Sequence, residues 1–242
     1  MNFTFASANG NTFLIFDCIK SPNVKLNYFY ILSWFIAKKV DSCLVIKYHS
    51  GNYLKSMLVV TMDVYFPKGG FCGNGARAVG KYLQKTYGMK YKKFSIYSHS
   101  MILTIDKTFA ELLLPDNIIQ IEYNGYDSYL VNTTGENHII IFTSNKSMFI
   151  SPPNFKMVTI NINVCWINNN ELYVKTFERG INRYTQSCGT GTVSAWYVGR
   201  CLGYLSYSHK YNVYTNGGKL TINPTQNIHK KTVYLSGQTF VK

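Results

Sequence analysis

Apolar residues recur at helical spacing in two stretches of the chain, and each stretch directly follows a cysteine and a pair of glycines. The stretches run from Ala76 to Tyr87 and from Thr192 to Leu205, and both are predicted helices. A third helix is predicted from Leu26 to Lys39 on the same spacing. Elsewhere, short runs of Val, Ile, Leu and aromatic residues alternate with Gly, Asn, Asp and Pro, which is typical of strands joined by turns.

The predicted strands are short and end at turn-forming residues. In the first half of the chain they are Phe3–Ala6, Thr12–Asp17, Cys43–Tyr48, Met57–Phe66, Phe94–His99, Ile102–Asp106 and Phe109–Leu114. In the second half they are Ile118–Tyr123, Asp127–Thr133, Ile139–Phe142, Thr159–Ile167, Glu171–Phe177, Tyr211–Tyr214, Lys219–Asn223 and Lys231–Leu235. Strands with few helices predict an α+β protein.

The two segments before the cysteine-linked helices have the same order of residue types: cysteine, glycine, a polar residue and glycine. The first cysteine loop is Cys72–Gly75, and the second cysteine loop is Cys188–Gly191. They lie about half a chain length apart, so each half of the chain carries one loop. This spacing predicts an internal duplication in which the two copies face each other.

A glycine-rich turn that opens a helix suits both an anion and a thiolate. Glycine lets the backbone approach a ligand closely, and the helix N-terminus offers unpaired N–H groups that bind carboxylate or phosphate. The same field favours the thiolate form of a cysteine. A thiolate on one side of a carbon can remove its proton while a thiol on the other side delivers a new one, without a cofactor. A single loop of this kind is usually only a helix entry, so the repetition is what favours catalysis.

The residues of both loops resemble the motifs of the diaminopimelate epimerase family, a group of cofactor-independent amino-acid epimerases. The resemblance is specific at Cys72–Arg77, at Glu178–Gly180 and at Thr185–Gly191, and it extends more loosely over nearly the whole chain. It implies two pseudo-symmetric domains, each a curved, mostly antiparallel sheet around a central helix.

The resemblance and a polar break at Pro115–Asn117 together set the expected domain boundaries. The first epimerase half would span residues 1–114 and would be completed by the C-terminal strand 238–242. The second half would span residues 115–237.

The family's activity implies that this chain is an isomerase that inverts the α-carbon of an amino acid. The first substrate implied is LL-diaminopimelate, converted to meso-diaminopimelate, a lysine precursor. The implied roles are as follows: Cys72 and Cys188 as the two bases, His138 and Glu178 as their assistants, Gly73, Asn74, Gly189 and Thr190 as backbone ligands of the reacting carboxylate, and Asn11, Asn163, Glu178 and Arg179 as further substrate ligands. No cofactor and no metal are implied.

Two departures from the family pattern leave the substrate open. The stretch Tyr65–Gly70 lacks the asparagine expected before the first cysteine loop, and Glu136 and Asn137 replace Asn-Pro in front of His138. A racemase or epimerase of another amino acid, of histidine or proline type, is therefore the alternative. A competitor from another class is a basic binding protein that keeps the fold without the chemistry.

Composition limits the other classes of function. Lys and Arg outnumber Asp and Glu by 25 to 11, giving a formal charge of +14, but no run of five basic residues occurs. We therefore expect an amino acid rather than nucleic acid as the partner. The six cysteines have neither zinc-ligand spacing nor a Cys-x-x-Cys pair.

The N-terminal region and the apolar stretches decide the expected compartment. Residues 1–16 lack the features of a signal peptide, and the apolar stretch Leu26–Ala37 is too short to span a bilayer. The sequence thus predicts a soluble, cytoplasmic protein with reduced thiols and no membrane partner. A homodimer is one assembly that this prediction allows.

Overall fold

The chain folds into two compact units of mixed helix and strand. The structure is a computed structural model that describes residues 3–21, 26–49, 57–65, 71–88, 93–98, 101–106, 109–206, 210–225 and 231–242. Unit 1 comprises Met1–Ala110 together with Thr239–Lys242, and unit 2 comprises Glu111–Gln238.

The elements alternate between strands and a few helices. In unit 1 they are β1 (Phe3–Ala8), β2 (Asn11–Asp17), α1 (Tyr28–Lys38), β3 (Ser42–Tyr48), β4 (Met57–Tyr65), α2 (Gly73–Tyr87), β5 (Lys93–Ser98) and β6 (Met101–Asp106). The strand β7 (Phe109–Leu113) carries the chain into unit 2. There the elements are β8 (Ile119–Tyr123), β9 (Tyr126–Thr133), β10 (Glu136–Thr143), α3 (Lys146–Ile150), β11 (Asn161–Asn168), β12 (Glu171–Glu178), β13 (Arg183–Tyr184), α4 (Gly189–Cys201), β14 (Tyr211–Thr215), β15 (Gly218–Pro224) and β16 (Thr232–Gly237). The last strand, β17 (Thr239–Val241), belongs to unit 1.

Strand pairing in unit 1 follows the chain order. β1 and β2 form an antiparallel hairpin, α1 then leads to β3, which is parallel to β2, and β4 returns antiparallel to β3. α2 leads to β5, which is parallel to β4, and β6 and β7 continue antiparallel. Each parallel pair is joined through a helix, as a crossover between parallel strands requires.

Unit 2 repeats the same sequence of pairings. β9 and β10 form the hairpin, α3 leads to β11, which is parallel to β10, and β12 returns antiparallel. α4 leads to β14, which is parallel to β12, and β15 and β16 continue antiparallel. Even the strand outside the hairpin has a counterpart, because β8 pairs with β9 as β17 pairs with β1. The topology within each unit therefore agrees with an internal duplication.

The helices that follow the cysteine loops lie in the middle of their own units. α2 packs against β1, β2, β5 and β17, and α4 packs against β9, β10, β11, β12, β15 and β16. Their side chains are buried along most of their length, Trp196 completely. A helix surrounded by strands has to be buried on all sides, which explains why α4 carries so few charged residues. The predicted fold class, mostly antiparallel sheets each around a central helix, is confirmed.

Several predicted element boundaries differ from the structure. The two central helices begin at the first glycine of each loop, because the cysteine before it already acts as the N-cap. Glu136–His138 lay between two predicted strands but belong to β10, because the left-handed residues Thr134 and Gly135 reverse the chain alone. The helix α3 and the strand β13 were not predicted. The predicted strand ends at Phe66 and His99, and the stretch 66–70, lie outside the described residues.

Candidate active site

Cys72 caps the helix α2. Its backbone is extended (φ −115°, ψ 100°), and its Sγ accepts a hydrogen bond from the N–H of Gly75 at 3.2 Å. No acidic side chain stands in the first turn of α2. An N–H donor and the positive end of a helix both favour the thiolate of this partly exposed cysteine.

Cys188 occupies the same position in unit 2. Its backbone has nearly the same conformation (φ −125°, ψ 117°), and its Sγ accepts from the N–H of Gly191 at 3.4 Å. The first turn of α4 again has no acidic residue, and Cys188 is again partly exposed. Cys188 Sγ has an additional neighbour, the hydroxyl of Thr190, at 3.4 Å. The two predicted cysteine loops thus have one local geometry.

Three other cysteines have a different environment. Cys18, Cys43 and Cys165 are buried. Burial raises the pKa of all three thiols, that of Cys43 to about 12. A thiol whose pKa is raised is a poor nucleophile and a poor base at neutral pH. Among these five cysteines, only the two loop residues therefore combine access with a thiolate-favouring cap.

A chain of buried polar side chains leads from the interior of unit 2 to Cys188. His138 Nε2 lies 2.9 Å from Thr190 Oγ1, and His138 Nδ1 lies 3.1 Å from Asn163 Nδ2. Both His138 and Asn163 have no exposed surface. Burial, reinforced by the charge of Arg179, lowers the pKa of His138 to about 3. The histidine is therefore neutral at physiological pH.

His138 and Asn163 were predicted as a catalytic assistant and a substrate ligand. His138 touches Thr190 rather than a cysteine thiol in the described contacts, so it assists Cys188 through an intermediary. Asn163 donates to His138 and to the carbonyl of Ile139, and accepts from Thr176 at 2.8 Å. Substrate binding by Asn163 stays a prediction, and these contacts favour a positioning role instead.

Arg179 and Glu136 form an ion pair at the other edge of this cluster. Arg179 Nη2 lies 3.0 Å from Glu136 Oε2, with the Glu136 side chain 9% exposed and that of Arg179 43% exposed. The backbone N–H of Arg179 donates to Asn161 Oδ1, and Glu178 accepts from the hydroxyl of Thr185. The guanidinium that was predicted to hold a substrate carboxylate is thus paired with a carboxylate of the chain itself.

The buried side chain of Arg77 connects the first cysteine loop to the β1–β2 hairpin. This guanidinium is 3% exposed, and its Nη2 donates to Asn74 Oδ1 at 2.6 Å and to Asn9 Oδ1 at 3.1 Å. Desolvation lowers the pKa of Arg77 to about 10, so it remains charged. Asn9 and Gly10 both have left-handed backbones and close the β1–β2 hairpin, which places Asn11 at the start of β2, 8% exposed.

The structure therefore brings the predicted residues together in two sets, one in each unit. Unit 1 holds Asn11, Cys72, Gly73 and Asn74, and unit 2 holds His138, Asn163, Glu178, Arg179, Cys188, Gly189 and Thr190. Arg77 and Thr176 also belong to these sets, although neither was predicted as a site residue from the sequence. Arg77 follows the first loop within the helical stretch, and a charged residue at an interior position of such a helix was the available signal.

Other site types find no support in the described ranges. They contain no group of three or more His, Cys, Asp or Glu side chains arranged to hold a metal ion. None of the helices in this part of the chain combines the length and apolarity needed to cross a membrane.

The sequence is similar to curated diaminopimelate epimerases. It is 28% identical to that of Thermotoga maritima over 206 residues, which is 80% of this chain and 83% of the relative. It is 31% identical to that of Methanocella arvoryzae over 180 residues, which is 62% of this chain and 63% of the relative. A search of protein-family models gave no match.

Solved structures share the fold at lower sequence identity. A phenazine biosynthesis protein of the PhzF family from Enterococcus faecalis matches with a TM-score of 0.69 at 13% identity, covering 99% of this chain and 95% of the other. A hydroxyproline epimerase from Agrobacterium vitis matches with a TM-score of 0.60 at 11% identity, covering 99% and 90%.

The fold is therefore the one shared by diaminopimelate epimerases and PhzF-like proteins. Within that fold, the predicted resemblance to the diaminopimelate epimerases is confirmed by the sequence relatives. Epimerases are isomerases, and the prediction of an isomerase is confirmed at that level.

Proposed function

We propose that this chain is a cofactor-independent epimerase or racemase that inverts the α-carbon of an amino acid with two cysteines. One thiolate removes the α-proton from one face, and the other thiol delivers a proton to the opposite face, so that Cys72 and Cys188 exchange roles in the reverse reaction. The single observation that carries this proposal is the duplicated cap, in which each thiol accepts an N–H bond at a helix start. The proposal requires both thiols to reach one α-carbon.

The backbone of both loops would bind the carboxylate next to the reacting carbon. The N–H groups of Gly73 and Asn74, and of Gly189 and Thr190, belong to first helical turns without an acidic side chain. Such N–H groups stabilise the negative charge that builds on the carboxylate when the α-proton leaves. Because thiol chemistry needs reduced cysteines, we place the protein in the cytoplasm.

Diaminopimelate is the first substrate to test, because the sequence relatives carry its name. Its second carboxylate would bind Arg179, whose planar guanidinium suits a two-pronged contact. One observation favours a different amino acid: Glu136 already pairs with this guanidinium. An amino acid without a distal carboxylate is therefore the second candidate.

The test is exchange of the α-hydrogen with solvent deuterium, measured by mass spectrometry on both isomers of a panel of amino acids. Diaminopimelate isomers, histidine and proline belong in this panel. Wild-type protein should label at least one substrate and interconvert its isomers. Cys72→Ala and Cys188→Ala should each lower racemisation at least about 100-fold, because each removes one acid–base group.

Cys201→Ala is the matched control, since it removes an exposed thiol at the far end of α4. It should keep wild-type turnover. Absence of exchange with every substrate, or near-normal turnover in either loop variant, would refute the proposed function and favour a binding protein.

A further inference from the structure

The buried hydrogen-bond chain behind Cys188 has a direction that the structure fixes from Asn163 as far as Thr190. It begins at Asn163, passes through His138 and Thr190, and ends at Cys188 Sγ. The direction matters because a chain that ends by donating to sulfur stabilises a thiolate, whereas a chain that ends by accepting from sulfur stabilises a thiol.

The direction follows from a backbone carbonyl, which can only accept. The Asn163 side chain contacts the carbonyl of Ile139 at 3.2 Å, so the atom there must be the amide nitrogen. The remaining amide oxygen then accepts from the Thr176 hydroxyl at 2.8 Å, which is consistent. The second N–H of the same amide points at His138 Nδ1, so that ring nitrogen is the acceptor and carries no proton.

The proton of His138 must then sit on the other nitrogen. A neutral imidazole has one N–H, and with Nδ1 unprotonated it is Nε2 that donates to Thr190 Oγ1. The Thr190 hydroxyl, which accepts this bond, keeps its own proton to donate, and Cys188 Sγ lies 3.4 Å from it. The N–H of Gly191 donates to the same sulfur. The Cys188 sulfur therefore has one backbone donor, and a hydroxyl within reach that can be the second.

The first cysteine loop has a different polar residue at the matching position. Asn74 stands where the second loop has Thr190, and its Oδ1 accepts from the Arg77 guanidinium. Cys72 therefore serves as an internal reference thiol, because it has the same N-cap position but no threonine hydroxyl at the matching position of its loop.

We infer that Asn163 and Thr190 are positioning residues. They orient the row of hydrogen bonds so that its last hydroxyl donates to Cys188 Sγ, and this donation stabilises Cys188 as the thiolate, the form that removes a proton. The role of this thiolate as a catalytic base rests on the proposed function. Whether Cys188 is a thiolate can be measured without any substrate. In this arrangement His138 is a hydrogen-bond donor rather than a base, because its unprotonated nitrogen, Nδ1, already accepts a hydrogen bond from Asn163.

The test is the pH dependence of alkylation of each loop cysteine by iodoacetamide, read by peptide mass spectrometry. Thr190→Val keeps the shape and removes the donor, so the midpoint for Cys188 should rise by about one to two pH units. Thr190→Ser restores the hydroxyl and should return the midpoint to that of wild type. The midpoint for Cys72 should stay the same in both variants. An unchanged Cys188 midpoint in Thr190→Val overturns the inference.

A second measurement tests the part assigned to Asn163. NMR of the imidazole nitrogens, assigned with His138→Gln, should show His138 with its proton on Nε2 in the wild-type protein. Asn163→Asp replaces the donor with an acceptor, so it should move the proton to Nδ1 and raise the Cys188 midpoint as Thr190→Val does. A proton on Nδ1 in the wild-type protein overturns the inference without any mutation.

Charged groups at this end of β10, β12 and β13 include Glu136, Glu178, Arg179 and Arg183, and Thr190→Val and Thr190→Ser leave all of them in place. Their contribution to the Cys188 midpoint is therefore common to wild type and to these two variants. A protein that inverts no amino acid refutes the proposed function, whereas the alkylation and NMR results decide this inference separately.

Discussion

Gly191 is a position in the second cysteine loop where one added methyl group should be costly. A Cβ built there would approach Asn163 Oδ1 to well under 3.0 Å and would lie 3.2 Å from Thr176 Oγ1. Asn163 has no room to withdraw, because its amide is held by Ile139, His138 and Thr176 at once. Gly191→Ala must therefore shift the first turn of α4 or break the buried amide's hydrogen bonds.

The magnitude follows from two costs and one gain. Overpacking a tight interior costs about 1–3 kcal/mol, and leaving one buried polar group without its partner costs about 1–3 kcal/mol. Alanine in place of glycine returns up to about 1 kcal/mol of helix propensity. We expect Gly191→Ala to lower the free energy of unfolding by about 1–5 kcal/mol.

The matched control is Gly199→Ala in the same helix. There the nearest atoms to a new Cβ are Leu205 Cδ1 at 3.0 Å, Leu205 Cγ at 3.2 Å and Phe142 Cζ at 3.3 Å, all of them side-chain carbons that need to move by only a few tenths of an ångström. Helix propensity and strain then nearly cancel, and we expect a change within about 1 kcal/mol. The assay is urea unfolding followed by tryptophan fluorescence and far-UV circular dichroism, with midpoints compared because two units need not unfold in one step. Equal midpoints for the two variants would refute the argument.

Three further predictions concern charge. Glu136→Gln should free the Arg179 guanidinium and raise kcat/KM for amino acids with a distal carboxylate relative to those without one; a uniform change across an amino-acid panel would contradict this. The pKa of His138 is depressed by burial, so the unfolded chain binds a proton that the folded chain rejects, and the free energy of unfolding should fall as pH drops from 6.5 towards about 3. The free energy of unfolding should change by up to about 1.4 kcal/mol per pH unit in the wild-type protein and by less in His138→Gln. Urea titrations at several pH values measure this dependence, and the same dependence in both proteins would count against the prediction. Asp17→Asn should lower the urea midpoint, because Asp17 Oδ2 accepts from the hydroxyls of Tyr82 and Tyr87 at 2.7 Å, and the double variant with Tyr82→Phe should lose less than the two single losses added together.

The helix starts at the cysteine loops could be predicted because their cause is local. A short side chain before a Gly-x-Gly segment can cap the first turn, and Cys72 and Cys188 both do so through sulfur. The boundaries were wrong by one turn because glycines were assigned to loops, although in both helices the first glycine is already helical. Local chemistry thus predicts where a helix begins, but only to within about a turn.

The partners of the buried polar residues could not be predicted. Asn163 among apolar residues of a strand signals that a partner exists, since an unpaired buried amide is costly. The partner is His138 because β10 and β11 run parallel, a pairing that depends on a crossover through α3, a five-residue helix that periodicity does not reveal. The pairing of Glu136 with Arg179 likewise depends on the tertiary structure, because Glu136 begins β10 and Arg179 directly follows β12, far away in the sequence.

The strand β17 links the completion of unit 1 to the order in which the chain is synthesised. Val241 pairs with Ala6, and the N–H of Lys242 donates to the carbonyl of Phe5, so residues 239–242 are built into the sheet that contains β1. α2 packs against this strand as well. On the ribosome, unit 2 is therefore fully translated before β17 becomes available to complete the sheet of unit 1.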